Sequence, residues 1–250
     1  MNIFITGGTT GIGLELAQTY LREGNRVGIC ARDLSKCPVE IRNKYKLLKV
    51  YELDVTDRQA LKNAVADFVG PEKILDMMVA NAGRSVGAKN KLPNFDVARE
   101  IVDINVVGVL NAFEVALEYM LPKNHGHLVA TSSVAGLVGL PGVAAYSASK
   151  AYVLNFCESL GLDLAKYGIT VTAILPGFVD TPLTKKNNHK MPFLMTADKA
   201  AGLIKKALDE KKSIYIFPWQ MNLVMSVLRR IPRSWYRWLM KSKIFNYSEK

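Results

Sequence analysis

The stretch Asn2-Ile3-Phe4-Ile5-Thr6-Gly7-Gly8-Thr9-Thr10-Gly11-Ile12-Gly13 places a short apolar run directly before a glycine-rich turn. After the turn, Leu14, Ala17 and Leu21 recur at the spacing of an amphipathic helix. In this order of strand, turn and helix, backbone N–H groups and a helix N-terminus can approach a pyrophosphate. The three spaced glycines therefore favour a nucleotide-binding turn over an ordinary flexible loop.

The alternation of strand and helix continues along the chain. Apolar runs predict further strands at residues 26–31, 47–53, 74–80, 127–131, 170–175 and 213–217. Helical spacing predicts helices at residues 56–68, 96–119, 145–167 and 196–210, and a capping box at Thr56-Asp57-Arg58-Gln59 marks the start of the first of these. Because most strands are apolar on both faces, we predict an α/β fold: a doubly wound, Rossmann-like parallel sheet with helices on both faces and a C-terminal helical extension.

Length and charge define the domain organisation. The 250 residues contain no linker or repeat, so we predict one domain over residues 1–218, with a substrate lid at about 183–196, and a basic amphipathic extension over 219–250. Residues 1–184 hold 18 Lys/Arg and 18 Asp/Glu, whereas residues 185–250 hold 15 and 4, so the whole excess of +11 lies in the last part. The neutral body argues against a nucleic-acid partner.

The cysteines are odd in number, and neither they nor the histidines show the spacing of metal ligands. We therefore predict no metal and no disulfide framework. The start of the chain has no signal-peptide or membrane-span pattern, so we expect a cytoplasmic protein. The three cysteines are Cys30, Cys37 and Cys157, and the three histidines are His125, His127 and His189.

The second predicted strand ends in Cys30-Ala31-Arg32-Asp33, where a dinucleotide fold carries the residue that contacts the adenosine ribose. An acid there is typical of NAD, whereas arginine suits the 2′-phosphate of NADP. With Ala31 as the last strand residue, Arg32 is placed to meet a phosphate, and we predict NADP(H). A shift of one residue would place Asp33 there and predict NAD.

The segment Tyr146-Ser147-Ala148-Ser149-Lys150 places a phenol and an ammonium on one face of a predicted helix. At about 5 Å and an effective dielectric of ~20, their attraction is ~3 kcal/mol, enough to lower the pKa of the phenol by about two. We therefore expect Lys150 to bring the pKa of Tyr146 into working range. For this motif alone, a solvated pair of side chains is the alternative.

Together these motifs resemble the short-chain dehydrogenase/reductase family, in its compact, oxidoreductase-type branch. The resemblance covers residues 2–184. The motifs occur in family order: Thr6-Gly7-x3-Gly11-x-Gly13, Asp54-Val55, Asn81-Ala82-Gly83, Asn105-Val106-x-Gly108, Ser132-Ser133, Tyr146-x3-Lys150 and Pro176-Gly177.

The resemblance implies a role for each catalytic residue. Tyr146 is the expected acid/base, and Lys150 is expected to lower its pKa and to bind the nicotinamide ribose. Ser133 lies 13 residues before Tyr146, the family's interval, so we choose it over Ser132 as the donor to the substrate carbonyl. Asn105 is expected to hold a water beside Lys150 in a proton relay.

The resemblance also implies contacts with NADP(H) from the glycine turn and from the segments that follow other strands. The expected cofactor-binding residues are Gly7, Thr9, Thr10, Gly11, Ile12, Gly13, Arg32, Asp54, Val55, Asn81, Ala82, Gly83, Tyr146, Lys150, Pro176, Gly177, Val179 and Thr181.

Two segments are candidates for the substrate side. Residues 136–143 are uncharged, which suggests an apolar wall. Residues 185–190 are basic and residues 191–195 are apolar, and in the family this region is a mobile lid. We expect an apolar carbonyl or alcohol as substrate, with an ordinary solvated loop as the alternative for the lid.

The extension pairs apolar and basic surfaces. Leu223, Val224, Val227, Leu228 and Ile231 share one helical face, and Pro232 breaks the pattern. In the next helix Arg233, Arg237 and Lys241 share one face, and Trp235, Trp238 and Leu239 lie on another. Such helices dock on their own body or on a second subunit, which we favour, or lie on an anionic membrane surface.

The predicted function is an NADP(H)-dependent oxidoreductase that interconverts a carbonyl and a secondary alcohol on an apolar small molecule. One alternative is a catalytically idle NADP(H)-binding sensor or scaffold. Another is a reductase at the membrane surface that acts on lipid-like substrates. We expect a homodimer or homotetramer, paired through the helices that carry Asn105 and Tyr146.

Overall fold

The structure is a computed structural model that describes residues 1–85, 94–186 and 190–241. Its main sheet has seven parallel strands in the order β3-β2-β1-β4-β5-β6-β9, which confirms the predicted fold class. A small parallel pair, β7 and β8, lies outside it. The strands are β1 (Asn2–Thr6), β2 (Arg26–Ala31), β3 (Leu48–Glu52), β4 (Met77–Ala80), β5 (Gly126–Thr131), β6 (Ile169–Pro176), β7 (Val179–Asp180), β8 (Met195–Thr196) and β9 (Ile214–Phe217).

Helices cover both faces of the sheet, because the strands are apolar on both sides. On one face α3, α5 and α6 bury a core that includes Phe68, Phe113 and Val153; on the other, α1 and α7 bury Tyr20 and Ile204. The helices are α1 (Gly11–Arg22), α2 (Val39–Lys44), α3 (Arg58–Val69), α4 (Phe95–Val102), α5 (Gly108–Met120), α6 (Ala144–Leu164), α7 (Ala197–Asp209), α8 (Trp219–Arg230) and α9 (Arg233–Lys241).

The strand order reverses between β1 and β4, since β1 leads to β2 and β3 on one side and β4 leads to β5 and β6 on the other. Ligands of open α/β sheets bind beyond the carboxyl ends of the strands at this point. The topology therefore places the glycine turn, the residues after β4 and β5, and the start of α6 around one crevice.

The predicted helix over residues 96–119 is interrupted. A π-helical turn at Asp103–Val107 separates α4 from α5, with the N–H of Gly108 bonded to the carbonyl of Asp103. Such a turn inserts one extra residue into a helix and is frequent at functional sites. It carries Asn105, whose side chain is buried.

The predicted capping box is wrong by one residue. The N-cap of α3 is Asp57, whose carboxylate accepts from the N–H of Ala60 over 2.9 Å. Thr56 lies one residue before the cap, and its hydroxyl donates to the carboxylate of Asp54 over 2.8 Å.

The extension docks on the body through only part of the predicted face. Leu228 is buried and Ile231 packs against the same cluster, together with Met221 and Met225, whereas Leu223 and Val227 are exposed. Within the described ranges, no helix is both long enough and apolar enough to cross a membrane. The predictions that concern residues 187–189, with His189 among them, and 242–250 lie outside the described residues.

Candidate functional site

The turn between β1 and α1 is packed tightly against neighbouring loops. Gly7 has a φ of +65°, and a Cβ there would lie 2.7 Å from the Cα of Ala82. Gly11 has a φ of +56°, and its Cβ would lie 2.9 Å from Cγ2 of Thr181. Both positions need glycine because their backbone is left-handed and the adjacent space is filled. The turn backbone therefore borders the crevice without side chains of its own at these points.

The N-terminus of α1 is available to an anion. Thr10 is the N-cap residue, but its side chain makes no capping hydrogen bond, and the first turn contains no acidic residue. The first N–H groups of a helix lack intrahelical partners and carry a partial positive charge. A phosphate bound there would satisfy groups that the protein itself leaves open.

A cavity of about 440 Å³ lies at the carboxyl edge of the sheet. Apart from Gly13 and Asn105, every predicted site residue lines it. The predicted residues that line it are Gly7, Thr9, Thr10, Gly11, Ile12, Arg32, Asp54, Val55, Asn81, Ala82, Gly83, Ser133, Tyr146, Lys150, Pro176, Gly177, Val179 and Thr181. Gly13 packs behind the turn, where a Cβ would lie 2.5 Å from the carbonyl oxygen of Gly7.

One end of the cavity is lined by two cations and two carboxylates: Arg32, Lys36, Asp33 and Asp54. β2 ends at Ala31, as predicted, and Arg32 follows with its side chain 62% exposed and 3.7 Å from a carboxylate oxygen of Asp54. Asp33 turns to its own segment: it caps the N–H of Ser35 over 3.0 Å and pairs with Lys36 over 3.0 Å. The hydroxyl of Ser35 and the ammonium of Lys36 hold the pKa of this carboxyl at about 2. Both residues line the cavity, but Asp33 is bonded to Ser35 and Lys36 over 3.0 Å, whereas the contact of Arg32 with Asp54 is longer, at 3.7 Å.

Asn81 joins the ends of three strands beneath the cavity. Its side-chain amide donates to the carbonyl oxygens of Thr6 and Gly7 over 3.2 and 3.1 Å, and its carbonyl accepts from the hydroxyl of Thr131 over 3.2 Å. The N–H groups of Asn81 and Ala82 donate to the hydroxyl of Thr6. These bonds fix the glycine turn relative to β4 and β5.

Tyr146 and Lys150 lie in the first turns of α6 and both face the cavity. The ammonium of Lys150 is 4% exposed and donates to the carbonyl oxygen of Thr131 over 2.6 Å. Its nitrogen lies 5.8 Å from the centroid of the Tyr146 ring. The strand end of β5 thus positions the lysine that the helix brings beside the phenol.

The expected lowering of the Tyr146 pKa is wrong for the protein groups alone. Burial raises the pKa of Tyr146, and a hydrogen bond with Ser133 offsets this only in part. Burial also lowers the pKa of Lys150 to about 8. The simple Coulomb argument omits desolvation, which disfavours the charged form of both groups.

The two serines after β5 have different partners. The hydroxyl of Ser132 donates to the backbone carbonyl of Lys150 over 2.7 Å, which ties β5 to α6. The hydroxyl of Ser133 accepts from the N–H of Ala135 over 3.1 Å and lies near enough to the Tyr146 phenol to lower its pKa. Ser133 therefore stands beside the phenol, while Ser132 is occupied with the backbone.

Asn105 lies behind the cavity and joins two segments. Its amide nitrogen donates to the carbonyl of Arg84 and to the hydroxyl of Ser149, each over 3.0 Å, and its carbonyl accepts from the N–H of Arg84 over 2.7 Å. Ser149 in turn donates to the carbonyl of Tyr146 over 2.8 Å. Through these bonds, the π-helical turn braces the first turn of α6.

Residues 136–143, predicted to form an apolar wall of the substrate site, pack against the C-terminal extension instead. Val138 and Leu140 pack against the C-terminal extension, together with Val134. None of residues 136–143 lines the cavity described above. In the segment predicted to form a lid, Leu183, Thr184 and Lys186 line the cavity, while Phe193 and Leu194 are exposed.

The prediction missed several lining residues that carry charge or a backbone acceptor. They are Lys36, Arg84 and Thr131. Thr184 and Lys186 also line the cavity, but they fall within the predicted lid. Lys36 lies four residues beyond Arg32 and could have been considered with it. The carbonyl of Thr131 has no sequence signal, because any residue supplies the same backbone group.

Comparisons with known proteins point in one direction. A model of the family described as short chain dehydrogenase matches residues 1–192. An uncharacterized oxidoreductase of Myxococcus xanthus is 37% identical over 231 residues, which cover 91% of this chain and 91% of the relative. A 3-oxoacyl-(acyl-carrier-protein) reductase of Thermotoga maritima is 33% identical over 192 residues, or 74% and 77% of the two chains. The solved structure of ElxO with NADP bound is 26% identical with a TM-score of 0.76, covering 86% of this chain and 96% of that one.

Proposed function

This chain belongs to the short-chain dehydrogenase family of oxidoreductases, and we propose that it is an NADPH-dependent reductase that converts an apolar ketone or aldehyde to its alcohol. The observation that carries the proposal is the convergence of Ser133, Tyr146 and Lys150 on one cavity, with the ammonium held by the carbonyl of Thr131. These groups supply a proton donor, a carbonyl-polarising hydroxyl and a nearby cation.

The residues present fit a dinucleotide. Gly7 and Gly11 line the cavity, so the turn presents backbone to it there, and the α1 N-terminus is uncapped by a side chain. Arg32 and Lys36 line the end where an adenosine phosphate would lie, and ElxO, a similar protein, binds NADP. When bound, NADPH supplies the hydride.

The chain's own residues supply the proton that the substrate oxygen receives and stabilise the charge that its transfer leaves behind. The hydroxyl of Ser133 donates to the substrate carbonyl oxygen and polarises it, and the Tyr146 phenol delivers its proton to that oxygen as negative charge develops there. The Lys150 ammonium then stabilises the phenolate that remains. Burial favours the neutral phenol beforehand, which suits a group that starts the reduction as an acid.

We expect the reduction to weaken above about pH 8. As the pH rises through the Lys150 pKa of about 8, the ammonium loses its proton, whereas Tyr146, with its raised pKa, stays protonated. The phenolate formed in the reaction then loses its neighbouring cation. The measurement is kcat/KM for a non-ionising ketone across the pH range, expected to fall by about tenfold per pH unit beyond the inflection. A flat profile well into the alkaline range would refute the assigned role of Lys150.

Arg32 should decide the choice between NADPH and NADH. Removal of the guanidinium in Arg32→Gln is expected to weaken NADPH binding by about tenfold, the lower end for a charged hydrogen bond because the side chain is largely exposed. NADH, which lacks the phosphate, should bind both forms equally. Fluorescence titration of each cofactor measures the two affinities.

The matched control for that titration is Arg99→Gln, which removes an exposed arginine of α4 that pairs with Asp96. Its cofactor affinities should not change. Tighter binding of NADH than of NADPH by the unmodified chain would contradict the assignment, and so would equal losses for both cofactors in Arg32→Gln.

A carbonyl panel tests the proposed function. It contains small aldehydes, long-chain ketones, steroid ketones and 3-oxoacyl thioesters, the last because the Thermotoga maritima relative is a 3-oxoacyl reductase. NADPH oxidation that depends on one of these compounds supports the proposal. A chain that binds NADPH but consumes none with any member of the panel would instead be the idle binding protein.

Pairing of two copies forms part of the same proposal. Val107 borders the π-helical turn, and Tyr152 and Leu162 lie on α6, and all three are exposed apolar side chains on the helices where the family pairs. Two copies joined there would bury them.

A further inference from the structure

The inner face of the C-terminal extension is buried against the body of the protein. Met221, Met225 and Leu228 of α8 and Tyr236 and Met240 of α9 are buried in one cluster with the loop that follows Ser133. The hydroxyl of Tyr236 donates to the carbonyl of Gly139. The extension is thus a fixed part of the body, and its orientation is defined.

The outer face of the extension is apolar and exposed. Three of its members are tryptophans, Trp219, Trp235 and Trp238, which are 70%, 68% and 74% exposed. Beside them, Leu223 and Val227 are 59% and 53% exposed. Large apolar side chains concentrated on one surface mark an interaction site rather than ordinary surface composition.

A groove of about 380 Å³ lies along α9 and the segment that precedes its first turn. It is lined by Ile231, Trp235, Trp238 and Leu239. Its wall is therefore formed almost entirely by apolar and aromatic groups, which suits hydrocarbon better than a charged ligand.

Cations border the outer face. The extension contributes exposed cationic side chains and has no acidic residue between positions 211 and 248. In the part of the chain that the structure describes, none of them forms an ion pair with a carboxylate. These side chains are Arg229, Arg230, Arg233, Arg237 and Lys241.

The positive charge beside the outer face indicates which kind of partner binds there. A symmetric contact between two copies would bring the same face of each copy together, and so would oppose cations with cations. Residues 1–184 are balanced at 18 positive and 18 negative charges, so the body offers no acidic excess to receive the face. A bilayer with anionic headgroups supplies both the negative charge and the apolar layer beneath it.

We propose that the outer face of α8 and α9 is a docking surface for an anionic lipid membrane. The tryptophans lie at the depth of the headgroups, where their amphipathic rings are favoured, and the arginines and Lys241 pair with the phosphates. The helices lie in the plane of the surface while their inner face stays on the protein.

The helices that carry the docking surface adjoin one wall of the cavity. Gly177 lines the cavity, and Cγ of Met221 in α8 lies 3.1 Å from where a Cβ on Gly177 would be. Docking therefore holds this wall of the cavity near the bilayer. Resting on the proposed function, the substrate class narrows to apolar carbonyl compounds dissolved in a membrane.

Tryptophan fluorescence tests docking directly, because the chain's three tryptophans all lie on the outer face. The full-length protein is mixed with vesicles of phosphatidylcholine alone or of phosphatidylcholine with phosphatidylglycerol, at low and high salt. With anionic vesicles at low salt, we expect a blue shift of the emission and quenching by brominated lipids. High salt should weaken both effects.

Matched variants locate the surface. Arg233→Gln/Arg237→Gln/Lys241→Gln should lower the partition onto anionic vesicles by about 100-fold at low salt, measured by cosedimentation. The control is Lys73→Gln/Lys123→Gln/Lys166→Gln, which removes three exposed lysines at the opposite edge of the sheet. A second variant, Trp235→Ser/Trp238→Ser, should also lose binding although its charge is unchanged.

Three results would overturn the proposal. The unmodified chain could ignore anionic vesicles at low salt, or the control could lose as much binding as the arginine variant, which would indicate net charge alone. Light scattering could show that Trp235→Ser/Trp238→Ser turns a dimer into a monomer without any vesicle binding, which would assign the face to a second copy. Because vesicle binding is measured without turnover, the test of membrane docking is valid even if the protein reduces no carbonyl compound.

Discussion

Tyr146→Phe should lower kcat for carbonyl reduction by about 10²–10⁴-fold, the contribution typical of a positioned general acid. The phenol lines the cavity together with Ser133 and Lys150, and phenylalanine keeps the ring while it removes the proton. NADPH affinity and thermal stability should change little because only one oxygen is lost. Steady-state turnover, an NADPH titration and a melting curve give the three quantities.

Tyr152→Phe is the matched control for this substitution. It removes the same hydroxyl from the same helix, at a side chain that is 42% exposed and lies outside the cavity. We expect full activity. If Tyr146→Phe kept the turnover of the control, the proton would have to come from another donor and the proposed mechanism would be wrong.

Ser133→Ala should lower kcat by about 10²–10³-fold, the usual effect of removing one donor that stabilises a developing oxyanion. The neighbouring Ser132→Ala removes the same atom one residue earlier. Its hydroxyl is bonded to the backbone of Lys150 over 2.7 Å, so its loss should cost about 1 kcal/mol of stability and less than about tenfold in kcat.

The two serine variants distinguish the loss of a hydrogen bond to the substrate from the loss of a structural hydrogen bond. The comparison needs kcat and the melting temperature of both proteins. The opposite ranking, with Ser132→Ala inactive and Ser133→Ala active at equal stability, would assign the substrate contact to Ser132 and reverse the choice made from the family interval.

The sequence patterns predicted the doubly wound fold because they report burial on both faces of each strand. The end of β2 at Ala31 was also predictable, since the apolar run stops there. The residues at the carboxyl edge followed from the topology: once the strands are parallel, their ends meet, and Ser133, Tyr146 and Lys150 must lie near one another.

The sign of the Tyr146 pKa shift was not predictable from spacing. Helix geometry gives the separation of a tyrosine and a lysine four residues apart, but not how deeply the surrounding fold buries them. Similarly, the helical pattern over residues 96–119 did not reveal the π-helical turn at Asp103–Val107. The bonds of Asn105 to the backbone of Arg84 depend on a segment that lies elsewhere in the chain.

The role of residues 136–143 was missed for a related reason. An uncharged loop beside a catalytic tyrosine fits an apolar substrate wall, and the pattern contains nothing that tells a substrate from a packed helix. Here the partner is Tyr236, 97 residues beyond Gly139. Local sequence shows that a surface is apolar, whereas only the tertiary structure shows what covers it.

Deuterium transfer is the most direct measurement of the proposed reaction. The full-length protein is incubated with NADPH that carries deuterium at nicotinamide C4 and with a ketone from the panel, and the product is analysed by mass spectrometry. We predict one deuterium on the carbinol carbon for each NADPH consumed, with no labelled alcohol formed by Tyr146→Phe on the same time scale. NADPH consumption without label in the alcohol, or labelled alcohol at an undiminished rate from Tyr146→Phe, would contradict hydride transfer with Tyr146 as the acid.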